Sequence, residues 1–236
     1  MWIIPWLLLV KNDAPPSAPP AATKSGAPPV TLCRLMISPV TWGTVIATFC
    51  YMYFVYFCMT WMPAYFVEQR HLSLTKMGVY AFFSFGGMAI MAALAGWAAD
   101  VMIARGGNPV TVRKWFTIAG FAIACTELIG AQSSSLEIAL FFAVVSLSGL
   151  GLATANYWAL TQTLVPAAAA GRISGIQNCA ASIAGIVAPI VTGWLKQRTG
   201  NYEAPMQAIW FVLAVGAVSY WLMMREEYAP NGRVVS

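Results

Sequence analysis

From roughly residue 39 to residue 225 the sequence repeats one pattern six times: a run of about 20 or more apolar residues, then a short polar link. At 1.5 Å of rise per residue, about 20 residues carry a helix across roughly 30 Å of hydrocarbon. Nothing in that layer can solvate a bare backbone amide. A spanning segment must therefore close its hydrogen bonds within itself as a helix, or within a closed barrel. Barrel strands would appear as segments of about ten residues alternating in polarity, and none occur. The fold class is an all-α membrane protein, a six-helix transmembrane bundle. Of 236 residues, 59% are hydrophobic and 9% charged, against about 25% charged in soluble domains.

The predicted spans are 39–66, 77–103, 113–132, 136–165, 172–197 and 206–225. Ahead of them, "MWIIPWLLLV" is apolar but too short to cross, and it lacks the basic start and cleavage site of a secretory signal. It reads as the tail, residues 1–10, of a preceding transmembrane helix. The following "KNDAPPSAPPAATKSGAPP" has too little to bury and is expected to be disordered. Residues 11–38 thus form a cytoplasmic linker and the entry to the first full helix, and 226–236 a cytoplasmic tail.

Lys and Arg near the span ends set the orientation. If the Pro-rich linker is cytoplasmic, that side also receives Arg34, Arg105, Arg113, Lys114, Arg172 and Arg225. The far side keeps Arg70, Lys76, Lys196 and Arg198, partly offset by Glu68 and Glu203. Both termini are then cytoplasmic. The net charge of +5 lies in these links and on no basic helix face, so the cations are topological and predict no nucleic acid partner. The five cysteines form no CxxC pair or Cys/His cluster, which predicts neither a disulfide framework nor a metal. No Ser/His pair, paired acids or cofactor motif suggests an enzyme. No cofactor is expected.

Inside the spans, the one charge is Glu127, nearer the outer end of its helix than the middle, and it reads as a carboxylate reaching the outer interface or, in a half-size carrier, as the one candidate coupling acid. Neutral polar residues say more. Asn178, Ser182, Gly185 and Pro189 recur at i, i+4, i+7 and i+11, on one helix face. Beside them Ala180, Ala184 and Ala188 form a small-residue stripe that admits a close neighbour. Two readings stand for Asn178: a bond to a neighbouring helix, or the lining of a cavity. Thr154, Trp158 and Thr161 share a face with Asn156 beside it, and such donors in a membrane need partners. Tyr53, Tyr56 and Thr60 follow at i, i+3 and i+7, and a buried phenol normally needs a partner. Trp61 reads either as an interfacial belt residue or as lining.

Three stretches carry a resemblance. "GWAADVMIARGG" followed by "VRK" resembles the cytoplasmic loop motif of the major facilitator superfamily, with Gly96, Asp100, Arg105, Arg113 and Lys114 at its small, acidic and basic positions. Val101 departs from it where a basic residue commonly follows the Asp. "TWMPAYF" is similar to the seventh-helix signature of the anion:cation symporter branch, bacterial permeases for sugar acids and related carboxylates. "GRISGIQNCAASIAGIVAPIVTGWL" is similar to that branch's eleventh helix.

The resemblance implies the C-terminal half, helices 7–12, of a twelve-helix fold in the inner membrane. It further implies a secondary active symporter of organic anions, coupled to a proton or cation, with a missing N-terminal half as partner in the bilayer. That half would hold the acid and arginine residues of coupling. Tyr53, Tyr56, Asn156, Trp158, Asn178 and Ser182 become candidate substrate-binding residues. Asp100 is expected near a helix end, pairing with Arg105, Arg113 or a neighbouring helix. Two alternatives remain, a half-size carrier working as a homodimer and an inactive fragment or membrane scaffold.

Overall fold

The computed structural model describes residues 32–229. The expected helix tail at 1–10, the linker as far as residue 31, and residues 230–236 lie outside the described residues. Helix α1 (Leu32–Ile37) occupies the end of the predicted linker. The chain then turns at Ser38, and Pro39 opens α2 (Pro39–Thr60), a first-turn position where its missing N–H costs nothing. Beyond it lie a short α3 (Met62–Ala64), then α4 (Leu74–Ala104), α5 (Pro109–Ala124), α6 (Glu127–Gln132), α7 (Leu136–Leu164), α8 (Ala167–Thr199) and α9 (Glu203–Met223). Counting α5 and α6 as one span, six helical segments among the described residues are long and apolar enough to cross a membrane.

Side-chain oxygens start three of these helices. Ser73, Asn108 and Ser135 accept from the amides of Lys76, Thr111 and Ile138, satisfying donors the first turn leaves bare. Gly200 ends α8 at φ 72°, the left-handed stop glycine tolerates best. Two of the expected uninterrupted spans are broken. The first, predicted to residue 66, ends its regular helix at Thr60. Pro63 cannot donate into the ladder, and a π-helical turn follows at Tyr65–Gln69. The third breaks after Ala124, where the Thr126 hydroxyl donates to the Ile123 carbonyl at 2.6 Å.

The spans group by an exchange between two triplets. The first helix of the first triplet, α2, packs on α8 and α9. The first helix of the second, α7, packs on α4 and α5. Such reciprocal packing fits an internal repeat. Small residues let the backbones close in. Ala180, Ala184 and Ala188 are buried on α8, which packs against α2, as the small stripe predicts. A Cβ placed on Gly216 of α9 would meet both Cys50 of α2 and Phe121 of α5 at 2.9 and 2.8 Å.

Charges collect at the two ends. At one, Arg113 pairs with Asp100 at 2.8 Å, Lys114 donates to the Trp221 carbonyl, and Asn108 donates to Glu226. Residues 226–228, predicted as free tail, form a 3-10 turn tied back by Ser38, whose hydroxyl donates to the Tyr228 carbonyl at 3.0 Å. At the other end Lys196 pairs with Glu68. Arg70 donates to the Tyr65 hydroxyl and to the carbonyls of Ala131 and Ser133. These sets match the two groups of cations assigned to opposite sides.

Hydrogen bonds from Lys196 and then Tyr202 hold the exposed Glu68 carboxyl below the usual carboxylate range. A carboxylate depressed in the folded state contributes stability at neutral pH that is lost as pH falls through its folded value. Melting of the wild type should therefore weaken toward acid pH. A Glu68→Gln variant should lose less over the same interval, and parallel melting curves would remove this contribution.

Glu127 corrects the sequence reading. It does not reach the outer interface: its side chain is 3% exposed and accepts a hydrogen bond from Ser146 of α7 at 2.6 Å. The break after Ala124 turns it inward.

Candidate functional site

Helix α8 carries an inner stripe and an outer one. The inner stripe, Ile173, Gln177, Ala180, Ala184 and Ala188, is buried. The outer one begins with Gly171, Gly175, Asn178 and Ser182, all exposed. A Cβ added at Gly171 or Gly175 would meet nothing within 4 Å. Farther along, aromatics of the first span cover the same face. Gly185 lies under the Tyr56 ring and Gly193 under Trp61, whose indole N–H donates to the Pro189 carbonyl at 3.2 Å.

The Ser182 hydroxyl donates to the Asn178 carbonyl of its own helix at 2.9 Å, and the Asn178 side chain is exposed. Among the described residues, a bond from Asn178 to a neighbouring helix, one of the two readings, is not formed. An amide on a membrane-length helix is poorly served by hydrocarbon. This strip calls for protein or water over it.

The other candidates divide. Tyr56 is half-buried and faces α8 beside Gly185. Trp158 is half-buried, its ring 5.4 Å from that of Tyr157. Tyr53 is 3% exposed and packs on Phe49. Asn156 is fully buried, donating to the Leu152 carbonyl at 3.0 Å, and its carbonyl oxygen has no partner among the described residues. Tyr53 and Asn156 thus stand in the core, while Asn178 and Ser182 stand at the surface. Thr154, from the same cluster, bonds the Tyr51 hydroxyl at 2.9 Å, tying α7 to α2.

Sequence reasoning missed Gln177. Fully buried, its amide nitrogen lies 3.3 Å from the Thr48 hydroxyl and 3.2 Å from that of Thr161. One side chain thereby joins α2, α7 and α8, holding the strip's helix at a fixed rotation. The signal was available: Gln177 falls three residues before Ala180 and seven before Ala184, on the small stripe and not on the Asn178 face.

In the loop motif, Asp100 meets Arg113, one of the three partners the resemblance left open, linking the end of α4 to the start of α5. Lys114 turns away to α9. Arg105 is exposed at the end of α4, and Gly106 follows at φ 94°. Gly96 lies on the face toward α7, where an added Cβ would stand 3.4 Å from that of Ala155. Among the described residues no group of three or more His, Cys, Asp or Glu could hold a metal.

The sequence model of the Major Facilitator Superfamily matches residues 1–189. A probable galactarate/D-glucarate transporter of Bacillus subtilis is 24% identical over 84% of this chain and 45% of its own length. The D-galactonate transporter of Escherichia coli is 27% identical over 92% and 49%. The chain thus spans about half the length of the curated relatives it matches. Among solved structures, the fucose:proton symporter of Escherichia coli superposes with a TM-score of 0.65, at 17% identity over 94% of this chain and 52% of that one. That likeness is one of fold.

Proposed function

The chain belongs to the Major Facilitator Superfamily, a family of transporters and not of enzymes, and on that premise we propose that it is the C-terminal half of a secondary active carrier of organic anions such as sugar acids. The observation that carries the reading is the uncovered strip of Gly171, Gly175, Asn178 and Ser182 on α8. Relatives named for galactarate, D-glucarate and D-galactonate support the substrate class. A polyhydroxy acid offers hydroxyls and a carboxylate. An amide, hydroxyls and an indole N–H can meet these with neutral hydrogen bonds, leaving the charge to be balanced from the other half.

In this reading a second six-helix bundle covers the strip, and substrate sits between the bundles near the midplane. Asn178, Ser182, Tyr56 and Trp158 face it, while Tyr53 and Asn156 support them from behind. Access alternates as one bundle rocks against the other, with the Asp100–Arg113 pair bracing the cytoplasmic end. The carrier lies in the inner membrane with both termini cytoplasmic, and a proton or cation gradient drives uptake.

Reconstitution tests this. The chain joined to its N-terminal six-span half should accumulate labelled D-galactonate or galactarate under an imposed pH or cation gradient, and the chain alone should not. Accumulation by the chain alone would replace the half-carrier reading with a homodimeric carrier. No uptake by either preparation, with no ligand-dependent thermal shift, would leave a membrane scaffold.

A further inference from the structure

Glu127 has no part in the reading above, and a buried acid inside a membrane span demands an account. It belongs to neither cluster of ion pairs at the ends of the bundle. An uncompensated carboxylate in an apolar interior is costly, and a carboxylic acid with no acceptor for its proton is also unsatisfied. The local geometry serves both forms. The Ser146 oxygen lies 2.6 Å from a carboxyl oxygen of Glu127 and 3.1 Å from the carbonyl of Ala143. Facing a carboxylate, the serine O–H points to Glu127. Facing the neutral acid, Glu127 donates to the serine oxygen and the serine O–H swings to the Ala143 carbonyl. Only hydrogens move, because a hydroxyl is both donor and acceptor.

We propose that Glu127 and Ser146 form a reversible proton-binding site within the membrane domain, with the serine hydroxyl as the rotor that satisfies either state. A cavity lies beside the site, walled by the residue after Glu127 and not by Glu127 itself. That residue, Leu128, lines a space of about 150 Å³ that also touches Ala131, Gln132, Glu203, Met206 and Gln207, roomy and polar enough for water. The titratable groups within electrostatic reach of Glu127 are Cys58 of α2 and Tyr65 of the π-helical turn. Arg70 stands behind Tyr65, hydrogen-bonded to its hydroxyl. From α9, Glu203 faces the cavity and is exposed, and α7 presents the uncharged Ser146. Among the described residues no cation pairs with Glu127. The proposal concerns this chain by itself and stands whether or not it transports.

The test is infrared difference spectroscopy of the purified chain carrying carbon-isotope-labelled glutamate, with Glu127→Gln subtracted. The expected result is a carboxylic C=O band from a low-polarity site that appears toward acid pH, disappears toward alkaline pH and is lost in Glu127→Gln. Ser146→Ala, which removes the rotor, should displace the midpoint of that band while the chain stays folded. A band of constant intensity at every pH would overturn the proposal by making Glu127 a permanently neutral structural acid. The absence of any such band would overturn it by making Glu127 a permanent carboxylate. An unmoved midpoint in Ser146→Ala would remove the rotor.

Discussion

A Gly120→Val variant should melt about 2–12 °C below the wild type and yield less folded protein from membranes. A Cβ at this position would stand 2.8 Å from the backbone nitrogen of Ala153 and 3.0 Å from its Cβ, with the Gly149 carbonyl at 3.3 Å. None of these atoms lies on a flexible side-chain end that could turn aside. The helices must part instead. Overpacking of this kind costs about 1–3 kcal/mol, and in a chain of this size each kcal/mol moves the melting temperature by about 2–4 °C. The seam is built the same way on both sides of α7: Gly149 lies beneath Ile123 of α5, and Gly151 lies against the Met88 carbonyl of α4. Gly175→Ala is the control. Its Cβ would meet nothing, and alanine favours the helix, so the chain alone should melt at or slightly above the wild-type temperature. Equal losses in the two variants would mean that the α5–α7 approach does not carry the bundle.

Replacing Asn178 and Ser182 together by Leu should abolish sugar-acid uptake by the completed carrier while leaving the melting temperature of the isolated chain unchanged. Both residues are exposed on α8 and neither bonds a neighbouring helix among the described residues, so their loss withdraws nothing from the described bundle. In an assembled, water-poor cleft, substrate groups left without partners cost about 1–3 kcal/mol each. Two such losses correspond to roughly 30-fold to well over 1,000-fold. Gln177→Leu, one residue away, should do the reverse. It severs the link between Thr48 and Thr161 and should lower the melting temperature of the chain alone, since interhelical hydrogen bonds in membranes contribute about 0.6–2 kcal/mol. Thermal scans of the chain alone, paired with uptake by the whole carrier, separate the two faces. Normal uptake in the Asn178/Ser182 double variant would take substrate contact away from α8.

What the sequence made legible follows from the range of the physics involved. Spans are local: about 20 apolar residues suffice, and six are found, although the first and third are interrupted. For Asp100 the resemblance left three partners open, Arg105, Arg113 or a neighbouring helix, and the fold brings Arg113 to it. The break after Ala124 was not legible, because "ACTEL" contains neither proline nor glycine and the turn rests on a threonine hydroxyl reaching back to Ile123. Glu127 was misjudged for a related reason. Its partner Ser146 lies on the next helix, and only the fold shows that the two meet. Asn178 was visible as unusual from its spacing. Whether it bonds a neighbour or stays bare depends on which stripe of α8 faces α2, a choice fixed by the alanines and Gln177.

The exchange of first helices between the two triplets also sets a timetable. During synthesis α2 emerges ahead of the other five described spans, yet α8, its main partner, begins at Ala167, about 110 residues beyond Thr60. At about 5–20 residues per second, that leaves α2 waiting roughly 5–20 s in the nascent chain. Throughout that interval Thr41, Thr44, Thr48, Tyr51 and Tyr53, all buried in the finished bundle, must be accommodated without their final neighbours. The first of the six described spans to be made is thus among the last of them to be completed, and whatever shelters nascent helices at the insertion site must keep this one until α8 and α9 arrive.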